Sequence, residues 1–364
     1  MDVAERTSNP GGSLRAPLRI RVKERLATAL QHAWWATPAT RTALALRPLA
    51  ALYGALAHLH RAIVRPQRVG VPLVVVGNLI VGGAGKTPTT IAVLRLLSAF
   101  GWRPGVVSRG HGRTNTALVE VQRDSLASDC GDEPLLIHLR TGVPVMVASD
   151  RVAAARALCT AHPAVNIIVA DDGLQHHRLA RDLQIIVFDE RGAGNGLLLP
   201  AGPLREPLPR QVPAASIVLY NAARVSTPLP GWLATRRQTG VLPLADWWRG
   251  ASPAADSWRL LQGRPLLAAA GMAAPERFFA MLREHGLQLS ATRALPDHHA
   301  FDTLPWRDDT ADVVITEKDA VKLRLERLAR GGGVTRVWVV PLDLEPEMAF
   351  AAALKRHFPH PPKH

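Results

Sequence analysis

Residues 71–88 read VPLVVVGNLIVGGAGKTP: a buried strand, a glycine turn and a helix start in immediate succession. The apolar run 73–76 is β-branched and bounded by turn formers, which suits an inner strand of a parallel sheet. Gly82, Gly83 and Gly85 follow. Without Cβ atoms they accept positive φ and let backbone N–H groups approach an anion, and a helix beginning near Lys86 directs its positive dipole end at the same point. Gly82, Gly83, Ala84 and Gly85 thus form a candidate phosphate cradle for ATP. Lys86 would reach the β- and γ-phosphates, and the Thr87 hydroxyl would ligate Mg2+. The spacing departs from G-x-x-x-x-G-K-[ST], since Ile80 stands where that pattern has its first glycine. VGGAGKT is closer to the GGxGK[ST] loops, with Val81 where many of those ATPases carry a signature lysine.

The chain is 364 residues long, more than one ordinary core, so two α/β units of about 150–200 residues each are expected. Its net charge of +14 is uneven. Residues 1–70 carry eleven Arg or Lys against Asp2, Glu5 and Glu24, which makes this head +8. Such a head implies an anionic partner, a membrane surface or a nucleic acid. Nucleic acid is the weaker reading, because the basic residues flank apolar runs and no aromatic stacking platform recurs at regular spacing. Only Cys130 and Cys159 are present, which argues against a disulfide scaffold or zinc site.

Residues 1–17 read as a disordered lead. From Ile20 the chain turns helical, with Trp34 and Trp35 before a Pro38 break, then an Ala/Leu-rich stretch over 42–64. Arg47, Pro48, His58, His60 and Arg61 interrupt that stretch, so it is expected to lie in the membrane interface rather than span it, with Trp34, Trp35 and Tyr53 near headgroups; the alternative is a helical hairpin packed on the protein's own body. No short apolar core with a small-residue cleavage site marks a signal peptide.

Beyond the loop, a strand over 104–107 ends in SRGHGR, residues 108–113, which puts Arg109 where α/β sheets bind ligands. A basic turn explains those residues equally well. In GDEP, Asp132 and Glu133 read alone are ordinary first-turn acids of a helix. The strand 166–170 delivers Asp171 and Asp172 at its carboxyl end, as a Mg2+-assisted phosphate site requires. After a strand over 183–188, the long segment RGAGNGLLLPAGPLREP offers Arg205 as a phosphate contact and Glu206 as a second acid near the metal. Residues 209–213 read as a linker. Strands over 217–220, 266–270, 313–316 and 337–340 then suggest a second α/β unit, with PDHHAF at 296–301 and TEKDAVK at 316–322.

Taken together, VGNLIVGGAGKTP, SRGHGR, GDEP, DDGLQHHRL, RGAGNGLLLPAGPLREP, AGMAAPERFF, PDHHAF and TEKDAVK resemble the tetraacyldisaccharide 4′-kinases of lipid A biosynthesis, over residues 71–322. The resemblance implies ATP- and Mg2+-dependent phosphorylation of the 4′-hydroxyl of an acylated disaccharide 1-phosphate, a lipid A precursor. The setting it implies is the cytoplasmic face of the bacterial inner membrane, reached as a peripheral or monotopic protein, with no obligate protein partner. Two P-loop/Rossmann-like α/β/α domains with an amphipathic amino-terminal helical anchor are also implied. The corresponding division is 1–70 anchor, 71–210 nucleotide-binding domain and 211–364 closing domain. By motif, Asp132 and His298 become a catalytic dyad that takes the proton of the acceptor hydroxyl. Lys86 stabilises the transferring phosphate, and Thr87, Asp172 and Glu206 hold Mg2+. Asp171, Gln175, Arg109 and Arg205 support the metal or the phosphates. The sequence departs from the family pattern at His111, usually tyrosine, at Leu174, usually aromatic, and at Ala274, often asparagine. The alternative from the loop alone is a membrane-recruited P-loop ATPase acting as a nucleotide switch, which has no use for Asp132 and His298.

Overall fold

The computed structural model describes residues 29–330 and 335–362; the expected disordered lead and the start of the first basic helix lie outside them. Its strands in chain order are β1 (Leu73–Gly77), β2 (Pro104–Ser108), β3 (Val119–Glu120), β4 (Val145–Val147), β5 (Ile167–Asp171), β6 (Leu183–Asp189) and β7 (Ser216–Asn221). There follow β8 (Trp232–Arg237), β9 (Leu242–Pro243), β10 (Leu266–Ala270), β11 (Leu289–Ala294), β12 (Asp312–Thr316), β13 (Arg336–Val340) and β14 (Asp343–Pro346). Among the described residues they form a nine-stranded sheet, β14-β8-β7-β6-β1-β5-β2-β4-β3, and a five-stranded sheet, β11-β10-β12-β13-β9.

The centre of the large sheet is parallel, with antiparallel pairing only where β14 and β3 join at its edges. β1, β2 and β5 are buried along their whole length, as strands covered by helices on both faces must be, and this explains their unbroken apolar runs. β1 pairs with β5 on one side and β6 on the other. Its carboxyl end is therefore a crevice between diverging connections, where open α/β sheets bind ligands. The helix Lys86–Ala99 starts there.

The boundary expected near residue 210 is wrong in detail. β7, read from sequence as the first strand of the second unit, pairs with β6 over Gln184↔Ser216 to Asp189↔Asn221 and extends the first sheet. The stretch 209–213 therefore connects two strands of one sheet and is not an interdomain linker. The chain crosses to the five-stranded sheet only with β9, and returns after β13. β14 then pairs with β8, and the helix Met348–His357 packs on the first unit through Phe350 against Trp232. The reason is edge coverage: β8 ends in the exposed TRR of residues 235–237, and β14 pairs with it. An apolar cluster that includes Leu135, Trp247, Phe301 and Phe350 runs through both units.

The amino-terminal stretch forms short helix Arg41–Ala45 and then Arg47–Ile63, with Pro48 in the first turn, where a missing N–H is harmless. No described helix is long and apolar enough to cross a membrane. Leu49, Leu52, Leu56, Leu59 and Ile63 all stand exposed on the longer helix. The aromatic residues are arranged otherwise than expected. Trp34 Nε1 donates to Pro200 O at 2.8 Å, Tyr53 Oη donates to Arg205 O at 3.0 Å, and Trp35 lies under the Arg191 guanidinium at 4.5 Å. The polar tips of Trp34 and Tyr53 bind the protein's own backbone, which fastens the helices to the segment after β6. Gly54 permits that close docking, since a Cβ there would lie 2.8 Å from Leu198 Cδ1.

Candidate active site

The glycine loop leaves β1 at Gly77 and is shaped by two residues with left-handed backbone, Gly82 at φ 93° and Gly85 at φ 84°. Gly85 immediately precedes the helix Lys86–Ala99, and a Cβ on it would sit 1.9 Å from Asn221 Nδ2, so both conformation and space require glycine. Asn221, at the end of β7, donates to Ala84 O at 3.4 Å and braces the loop from below. Asn78 ties the loop to its lysine: Nδ2 donates to Gly82 O at 3.1 Å, and Oδ1 accepts from Lys86 Nζ at 3.3 Å. Arg191, oriented by Asp189, donates to Gly83 O at 2.8 Å. Neither Asn78 nor Arg191 was singled out from sequence. The signal was available, since both lie within two residues of a strand end in a quoted motif.

β5 delivers the two aspartates to different tasks. Asp171 is buried and accepts from Thr90 Oγ1 at 2.7 Å; burial, reinforced by the negative charge of Glu133 and of Asp172, pushes its carboxyl up to about 7. Asp172 turns into the cleft with φ 49°, placing Oδ1 3.7 Å from Lys86 Nζ and 3.6 Å from Arg205 Nη1. That oxygen is shut off from water and has no hydrogen-bond donor. A hard cation takes such an acceptor, and the Thr87 hydroxyl lies at the adjoining helix start, so the donor set fits Mg2+. Glu206, expected beside the metal, is engaged elsewhere: Gln175 Nε2 donates to it at 3.1 Å, and Arg61 and His177 approach it at 3.6 and 4.0 Å. Gln175 also donates to Asn78 O at 3.3 Å and accepts from Arg205 at 3.2 Å, linking the glycine loop to the 205–206 pair. Arg109 stands exposed at the end of β2. Its positive charge, after burial, helps hold Arg151 below its ordinary value.

The other wall of the cleft joins the two units. Gly131, at φ 95°, packs against Gly110, where a Cβ would meet Gly110 Cα at 2.9 Å, so the SRGHGR and GDEP turns lie together. Asp132 opens the helix Asp132–Thr141, and its Oδ2 lies 3.0 Å from His298 Nδ1. His298, from the second unit, adopts φ 59°, an uncommon conformation for a non-glycine residue that presents its ring to Asp132. His111, where the family pattern has tyrosine, packs edge-on against His298 with ring centroids 5.7 Å apart. Glu133, which read as a helix cap, pairs with Lys318 at 3.2 Å. Burial raises its carboxyl, but Lys318, with His298 and Lys86 beyond, outweighs that and holds it below the ordinary value. Glu133 therefore feels the charges of both the loop and the dyad. Lys318 and Lys322 of TEKDAVK were quoted from sequence without a role.

A cavity of about 430 Å³ opens beside this site, under the long amino-terminal helix, with Arg61, Leu174, His177, Arg181 and Glu206 in its wall. It combines apolar and cationic surface.

The sequence model of the tetraacyldisaccharide-1-P 4′-kinase family matches residues 42–359. The chain is similar to the tetraacyldisaccharide 4′-kinase of Methylibium petroleiphilum, 59% identical over 86% of this chain and 88% of that protein. With the tetraacyldisaccharide 4′-kinase of Leptothrix cholodnii it shares 51% identity over 92% of this chain and 97% of the relative. Its fold matches a crystal structure of LpxK from Aquifex aeolicus in complex with ATP, with a TM-score of 0.70, 23% identity, and coverage of 87% of this chain and 99% of that one.

Proposed function

The chain belongs to the tetraacyldisaccharide-1-P 4′-kinase family, and from that premise we propose how its own residues carry the reaction. It is an ATP-dependent kinase that moves the γ-phosphate of ATP to the 4′-hydroxyl of a tetraacyldisaccharide 1-phosphate, in lipid A biosynthesis. The acceptor oxygen forms a bond to the γ-phosphorus, the bond to the β-phosphate oxygen breaks, ADP leaves, and the hydroxyl proton passes to the Asp132–His298 pair. The observation that carries this reading is that pair, 3.0 Å apart and contributed by separate units, beside Glu133, which feels the charges of both His298 and Lys86. A nucleotide switch would have the loop but no acceptor-side base.

Loop amides and Lys86 stabilise charge on the transferring phosphate in a site withdrawn from water. Thr87 and Asp172, with Asp171 behind them, would hold Mg2+, which supplies charge neutralisation at the phosphates. Arg205 lies within ion-pair reach of Asp172 and is placed to contact phosphate, with Gln175 holding it. Glu206, occupied by Gln175 and Arg61, serves to orient that segment. The apolar and cationic cavity beneath the amino-terminal helix suits an acylated phosphosugar. The exposed leucines of that helix, with Arg41, Arg47 and Arg65 nearby, would rest on an anionic bilayer as a peripheral contact, each near-surface cation contributing about 1 kcal/mol. The cytoplasmic face of the inner membrane is the side that supplies ATP.

The test is transfer of labelled γ-phosphate from ATP to tetraacyldisaccharide 1-phosphate in detergent, with Mg2+ present or chelated. Wild type should label the lipid only with Mg2+. Asp132→Ala should lose turnover by about 100-fold or more while still binding ATP, whereas Lys86→Ala should lose both. ATP hydrolysis without labelled lipid in the folded wild type would instead identify a nucleotide switch.

A further inference from the structure

The turn after β12 carries a buried charge that the transfer reaction, as described, does not use. Lys322 runs back toward the cleft with its side chain only 5% exposed. Nζ lies 3.3 Å from Asp319 Oδ1 and 3.7 Å from Asp132 Oδ2, and 5.5 Å from the centre of the Phe301 ring. Both Nζ and Asp319 Oδ1 are cut off from water and have no hydrogen-bond partner. Asp319 is itself fixed, since its other oxygen accepts from Gly271 N at 3.1 Å and from Thr316 Oγ1 at 2.7 Å. A buried ammonium in such a place is held by charge alone, and its two carboxylates are rigidly placed. Because Nζ does not reach the solvent-filled cleft, it acts on the reaction only through Asp132.

We propose that Lys322 is a positioning residue for the phosphoryl transfer: braced by Asp319, its charge holds the Asp132 carboxylate turned toward His298 Nδ1. The inference rests on the kinase reading. Among the described residues, Lys322 is the lysine or arginine within ion-pair distance of Asp132. The other groups facing the pair are the Glu133–Lys318 couple with Asp297 beside it, the His111 ring and the Cys130 thiol. Glu133 and Lys318 pair with each other, whereas Lys322 divides its charge between Asp319 and Asp132.

The signs are definite. Loss of the cation removes a positive charge 3.7 Å from Asp132 Oδ2, which moves the acid limb of the kcat profile to higher pH. Neutralising Asp319 leaves Lys322 to Asp132 alone and moves the limb the opposite way. The experiment measures lipid phosphorylation by the full chain against pH for wild type, Lys322→Met, Lys322→Gln, Lys322→Arg and Asp319→Asn, with melting curves to confirm folding. The neutral Lys322 variants should lose about tenfold or more in kcat, keep KM for ATP within about twofold, and shift the acid limb up by about one pH unit. Lys322→Arg should recover part of the rate, and Asp319→Asn should shift the limb down. An unmoved limb in the folded neutral variants overturns the inference. Should those variants not fold, an unmoved or raised limb in Asp319→Asn does so. A wild-type protein that leaves the lipid unlabelled overturns the kinase reading instead, and this inference with it.

Discussion

His176 illustrates how a single side chain beside the site couples folding to pH. Its ring lies near Arg151, Asp150, Arg178 and Arg181, and burial, followed by the positive charge of Arg151, pushes its value down to about 4 from an ordinary 6.5. Nε2 is buried without a partner. The unfolded chain takes up a proton on this ring below about pH 6.5 that the folded chain refuses until near 4. The contribution is therefore fully present above 6.5 and is lost as pH falls through that window. His176→Gln should flatten the fall of melting temperature between pH 6.5 and 4 relative to wild type. Equal slopes would mean that the ring is not held neutral. The wild-type slope includes other groups, so the difference between the two proteins is the quantity to read.

The helix Arg47–Ile63 separates its two faces cleanly. Ala50, Tyr53 and Gly54 dock on the segment after β6, and Leu52, Leu56 and Leu59 leave 57–58% of their surface uncovered. Inserting each of those leucines into lipid gains on the order of 1 kcal/mol, given that only part of the side chain is left to bury. Replacing all three with serine should lower partition into anionic vesicles by at least about tenfold, measured by co-sedimentation, with ATP binding unchanged. Salt should weaken the residual binding, since charge then carries it. Unchanged partition in the triple variant would overturn a membrane role for this helix. Tyr53 ties this helix to Arg205, and Arg61 approaches Glu206, so the helix is joined directly to the wall of the cavity beneath it.

Across the whole molecule, the two units are fastened on the side away from the dyad. Arg140 reaches Glu317 and Asp343 at 2.5 Å each, and Glu317 also accepts from Trp247 Nε1 at 2.9 Å and Leu342 N at 3.0 Å. Removing one member of a buried pair strands the other charge, at a cost of about 3–5 kcal/mol. Arg140→Met should lie toward the lower end, because Glu317 keeps two donors. Urea unfolding should show the loss, and combining it with Glu317→Gln should restore part of it. On the cleft side, the Arg277–Glu190 ion pair and the Asp132–His298 contact span the units. The Glu133–Lys318 pair and the buried Lys322–Asp132 contact span the units there too, so both sides of the junction hold them together.

The sequence by itself determined the glycine loop, because a strand, a turn that only glycine tolerates, Lys86-Thr87 and a helix are local features with local causes. It also determined the parallel α/β class, since unbroken apolar strands must be covered on both faces. By residue type alone Asp132 was a capping acid and His298 a loop residue; only the resemblance paired them, across 166 positions. The tertiary structure decided what depends on distant neighbours: β7 joined the first sheet by pairing with β6, and the chain's end returned to cover β8. It turned Glu206 toward Arg61, buried Asp171 beside Glu133, and set Lys322 between two carboxylates. Strand pairing and electrostatic partnership are relations between segments far apart in sequence, and no periodicity or spacing within one segment encodes them.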